Sequence, residues 1–147
     1  MSPASAEQAR SSNLRRVAIL AVGDAAVFAL FTIIGIINHS VGVTLYHFGR
    51  DFVPLSVAWF LVAVIVDTYG RGGPLRVAVN WLVGVTAGII VRKWWVGSPN
   101  GVQFITFLTV ALVTNGVFLL IWRFLAGRLL KAPSVAGRAR ESEAAQA

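Results

Sequence analysis

Four long apolar stretches, separated by glycine- and proline-rich breaks, constrain this chain more than any other feature. The first runs from Val17 to Ile37, interrupted only by Asp24, Thr32 and glycines. A bilayer core of ~30 Å needs about 20 helical residues at ~1.5 Å each, so this run is long enough to cross. The second covers 52–69, with Pro54 in its first turn, where a missing N–H costs little, and Gly70 as a stop. The segment Gly70-Arg71-Gly72-Gly73-Pro74 turns the chain into a third run over 75–96, with Trp94 and Trp95 at its edge. Gly97-Ser98-Pro99-Asn100-Gly101 turns it again into the fourth, over 102–126. Helix is the only suitable state, because lipid tolerates no open sheet edge and no run alternates like a barrel strand. The expected fold is an all-α, integral membrane four-helix bundle. Residues 1–16 are small and polar and read as a disordered tail. Residues 127–147 read as a disordered basic tail, and 38–51 as a loop lying in the membrane interface.

Composition agrees. Hydrophobic residues make up 56% of the 147 and charged residues 13%, where a soluble domain carries roughly 25% charged. Too few charges are present to coat a soluble enzyme. There is no cysteine and there are only two histidines, so no thiolate chemistry and no multi-histidine metal site is expected, and no cofactor. A secretory signal peptide is the competing reading of the first run. Its apolar core is too long and carries Asp24, so it reads as a retained helix.

The net charge of +7 would suggest nucleic acid in a soluble protein. Here the basic residues flank apolar runs, so the bilayer and anionic lipid headgroups are the expected partners and nucleic acid is not. With both ends cytoplasmic, ten of the thirteen Lys and Arg fall inside and only Arg50, Arg92 and Lys93 outside. That is a strong positive-inside bias, and it places the chain as a multi-pass protein of the cytoplasmic (inner) membrane.

Few residues here can carry chemistry. Asp24 lies seven positions into the first run, inside the hydrocarbon, where an ionisable group costs roughly 2.5–3.5 kcal/mol and by default marks a functional site. Two readings compete: a proton or cation site, or a packing strut paired with an arginine. Helix order brings Asp24, Asp67, Asn80, Asn115 and Arg123 toward the inner leaflet, an expected intramembrane polar cluster. For Asp67 and Asn80 the plainer reading is a seat at the headgroups. At the outer end Arg50, Arg92 and Lys93 can contact an anion or a lipid headgroup, beside an aromatic belt of Tyr46, Trp94 and Trp95. Gly84-x-x-x-Gly88 permits close helix approach, between copies or inside the bundle.

Gly23-Asp24, then Gly35 followed by His39-Ser40, Arg92, Phe104 and the closing Trp122-Arg123 form a recognisable set. Over roughly residues 15–126 the chain resembles a family of small bacterial and archaeal membrane proteins, domain-of-unknown-function family 3054. The order Asn38-His39-Ser40-Val41-Gly42 departs from that family's Gly-x-x-Ser-His-Gly-like ending. The resemblance implies four helices, no established function and no catalytic residues. Two functions are then open. One is a non-enzymatic binding or complex-subunit protein, with a membrane protein or a second copy as partner. The other is a small dimeric transporter or flippase using Asp24. The state of Asp24 discriminates them, since a carboxylate tied to Arg123 cannot easily cycle protons.

Overall fold

The computed structural model describes residues 3–39, 42–70 and 73–131. Four helices follow in order: α1 (Pro3–Asn38), α2 (Leu45–Ile65), α3 (Pro74–Val96) and α4 (Gly101–Lys131). All four are long and apolar enough to cross a membrane. Sequential helices run antiparallel, and α4 closes on α1, so each packs on two neighbours. Pro3 and Lys131 therefore lie toward the same end, called here the terminal end.

Each helix boundary has a local cause. Thr44 caps α2, its hydroxyl accepting from the His47 N–H at 3.1 Å. The helix therefore begins seven residues before the expected start at 52, and Pro54 lies in its interior. There a proline removes the bond to the carbonyl four residues back, that of Arg50. α2 also stops early, at Ile65 instead of 69, because Asp67 takes a left-handed φ of 55°. The Thr68 N–H closes back onto the Ala63 carbonyl at 2.9 Å, and Arg76 donates to the Val66 carbonyl at 2.6 Å. α3 opens on Pro74 and ends on left-handed Gly97, whose N–H reaches Lys93 O at 2.7 Å, as its flanking turns predict.

The two outer helices overshoot their expected limits. α1 is 36 residues long, about 54 Å at ~1.5 Å per residue, against a hydrocarbon core of ~30 Å. Residues 3–16, expected as disordered tail, are helical, and 5–16 are exposed. Ala4, Ala6, Glu7, Gln8, Ala9 and Arg10 are good helix formers, and extending an existing helix needs no new nucleus. For the same reason α4 continues past 126 to Lys131. The remainder of the expected C-terminal tail, 132–147, lies outside the described residues.

The core centres on Phe28, Leu55, Trp59, Val85, Ile89, Ala111 and Leu119, with Phe28 and Trp59 edge to face at 5.1 Å. The glycine pair of α3 serves this packing. A Cβ on Gly88 would lie 2.7 Å from the Leu55 Cα, and one on Gly84 3.2 Å from the Trp59 Cα. Both glycines thus seat α3 against the α2 backbone within the bundle.

Candidate functional site: a clamp at one end and a cleft at the other

Asp24 is fully buried. Its neighbour Gly23 lets α1 approach α4 so closely that any side chain there would overlap the Trp122 ring. This contact sets the carboxylate beside Arg123 of α4. Arg123 donates from Nη2 to Asp24 Oδ2 at 2.6 Å. The Tyr69 hydroxyl donates to the same oxygen at 2.7 Å, and Trp59 Nε1 donates to the Tyr69 oxygen at 2.9 Å. The Arg123 guanidinium also lies 5.7 Å from the centre of the Tyr69 ring. Donors linked in series polarise one another and strengthen each bond. The result is a clamp joining α1, α2 with its following turn, and α4.

Of the expected polar cluster, Arg123 alone reaches Asp24. Asn115 is buried but donates to Ala111 O of its own helix at 2.8 Å. Asn80 is buried on α3, and neither of its amide atoms has a partner among the described residues. It is enclosed by the bundle instead of facing outward. Asp67 stands in the turn after α2, 42% exposed and 3.9 Å from Arg76. Tyr69 and Trp59 belong to the site and were not expected there. An aromatic at the end of an apolar run reads as belt, and nothing in its spacing announces the left-handed turn at Asp67 that redirects it.

At the far end a cleft of about 950 Å³ opens, lined from all four helices. At its mouth Arg92 and Arg50 both donate from Nε to Asp51 Oδ1, at 2.8 and 3.2 Å. Arg92 further reaches Ser98 O at 3.3 Å and stacks over Phe107 at 4.8 Å. Two cations on one carboxylate leave the mouth with a net positive charge. Arg50 and Arg92 are thus together, as expected. Lys93 is not with them, because its ammonium lies over the Phe104 ring at 4.4 Å and it does not line the cleft. Below the mouth the lining is mostly apolar, with Phe31, Leu55, Ile89 and Val110, beside Thr32 and Thr114.

The family model described as "Protein of unknown function (DUF3054)" matches residues 21–126. The chain belongs to this family. The match spans Asp24, both arginines of the mouth, the glycine pair and Arg123, and leaves out the overshooting start of α1 and end of α4. No curated protein and no solved structure matches the chain.

Proposed function

We propose that this DUF3054 protein is a non-enzymatic binding protein of the cytoplasmic membrane, with both termini in the cytoplasm and a static bundle that presents its cleft to a membrane partner. The Asp24–Arg123 contact carries the reading. A carboxylate fully buried and held on one oxygen by a guanidinium and a phenol has its charge matched in place. Cycling a proton through it would strand Arg123 each time, and breaking a buried pair costs roughly 3–5 kcal/mol. That cost disfavours the transporter reading, in which Asp24 changes state during turnover. The bound partner is drawn from the bilayer, either lipid or a membrane protein, and the free volume lies away from the clamp.

The test is a double-mutant cycle on thermal stability in detergent, combined with proton flux in vesicles. Asp24→Asn alone leaves Arg123 short of its counter-charge and is expected to lose about 3 kcal/mol, the low end of that range because Arg123 is 19% exposed. Arg123→Gln is expected to lose a similar amount, and the double variant less than the sum. Proton flux should match empty vesicles. Strictly additive losses, or an Asp24→Asn protein as stable as wild type, would overturn the static reading, as would flux abolished by that substitution.

A further inference from the structure

We propose that the cleft at the far end is a binding site for one anionic membrane phospholipid, its phosphate held at Arg50 and Arg92 and an acyl chain running down between α1 and α4. This deepens the binding reading above by naming what is bound. The depth of the cleft fits one leaflet. Its lining follows α4 from Val102 to Thr114, roughly 18 Å at ~1.5 Å per residue, and half of a ~30 Å hydrocarbon core is about 15 Å. Its volume of about 950 Å³ is at the upper end of the roughly 300–1,000 Å³ of small-molecule sites. The polarity is ordered as in a lipid, with charge at the mouth and hydrocarbon below.

The mouth is built for an anion. Asp51 takes the Nε of both arginines, and the Nη groups of Arg50 have no partner among the described residues. Those donors lie where a phosphate would sit, and guanidinium groups bind phosphate through paired N–H bonds. Farther down the cleft, Thr32 is 3% exposed and its hydroxyl has no partner among the described residues. A threonine in a helix ordinarily turns its hydroxyl to a carbonyl of the preceding turn, as Thr106 and Thr109 do here. Thr32 is a free donor for an ester carbonyl of the same lipid. One turn farther along the same helix, Gly35 has nothing within 4 Å of where a Cβ would be, leaving room for a chain. Acyl chain against protein gains little over acyl chain against bilayer, so selectivity resides in the headgroup.

The experiment is native mass spectrometry of the full chain in detergent, with phosphatidylglycerol or phosphatidylcholine of identical acyl chains added. The wild type should retain phosphatidylglycerol at about tenfold lower concentration, ~1.4 kcal/mol. Arg50→Gln with Arg92→Gln should erase that preference and leave phosphatidylcholine retention unchanged. If loss of Arg92 unfolds the chain, Arg50→Gln alone serves, since among the described residues the Arg50 side-chain nitrogens bond only to Asp51. Gly35→Phe places a ring on the cleft wall at a position where a Cβ meets nothing within 4 Å, and should weaken both lipids while keeping their ratio. Soluble glycerol phosphate should neither bind nor compete. Equal retention of the two lipids by wild type overturns the proposal, as does a preference that survives the arginine variants. So does full retention by Gly35→Phe, or glycerol phosphate binding as tightly as the lipid, which would mark a free phosphate site. Any of these leaves the stability cycle at Asp24 unaffected, so the lipid and the static bundle fail separately.

Discussion

At the scale of single residues, Asp24 and Arg123 were legible because a charge inside an apolar run needs company, and helix order leaves few candidates. Their partner Tyr69 was not. Its role depends on α2 ending at Ile65 and on the φ of 55° at Asp67, a backbone feature with no glycine to signal it. The hydroxyl of Tyr69 does two things: it accepts from Trp59 Nε1 and donates to Asp24 Oδ2. Tyr69→Phe therefore removes one charge-assisted bond and leaves a buried indole N–H unpaired. Such losses cost roughly 1–3 kcal/mol in water-soluble proteins, and hydrogen bonds in membrane proteins average nearer ~0.6 kcal/mol. The expected loss is about 1–2 kcal/mol, measured by unfolding in mixed micelles. A loss as large as that of Asp24→Asn would mean that the phenol, and not the guanidinium, chiefly holds the carboxylate.

At the scale of helices, the turns were read closely where glycine and proline mark them, as at Pro74 and Gly97. They were missed where the signal is a capping threonine inside an apolar loop, as at Thr44, or where helix propensity extends a span into water, as before Val17. The small-residue stripe of α3 left two readings, packing between copies or within the bundle. The close approach of Gly84 and Gly88 to the α2 backbone fits the second. The two positions should respond unequally. A Cβ at Gly88 would sit 2.7 Å from the Leu55 Cα, which cannot move without shifting the helix, whereas Gly84 has 3.2 Å to the Trp59 Cα. Gly88→Val is expected to destabilise by about 3 kcal/mol, the upper range of overpacking, and Gly84→Ala by about 1 kcal/mol. Gly35→Ala meets nothing and should be neutral or gain up to ~1 kcal/mol of helix propensity. Thermal melts of the three variants check the order. Equal tolerance at Gly88 and Gly35 would show that α3 does not rest on α2 as described.

At the scale of the whole molecule, the bundle is asymmetric along its axis. The terminal end is tied by the clamp and extended by two helices that overshoot the hydrocarbon; the far end is opened by the cleft. Which leaflet the cleft faces then depends on orientation. Ten of thirteen basic residues belong to the terminal end and its tails, so that end should stay in the cytoplasm and the cleft should open in the outer leaflet. The chain has no cysteine, which makes single-cysteine labelling clean. Ser11→Cys on the exposed start of α1, Ser98→Cys in the turn between α3 and α4, and Ser142→Cys near the C-terminus sample both sides. In intact cells only Ser98→Cys should react with a membrane-impermeant maleimide, and the other two should react only after lysis. The reverse pattern would invert the molecule and move the cleft to the inner leaflet. Labelling of one terminus but not the other would be incompatible with four crossings. The basic residues near the terminal end should govern this outcome, since loops between helices this short give the opposite end little charge to hold it inside. Changing Arg15 and Arg16 to Gln and adding lysines beside Ser98 should therefore shift a measurable fraction of chains to the inverted labelling pattern.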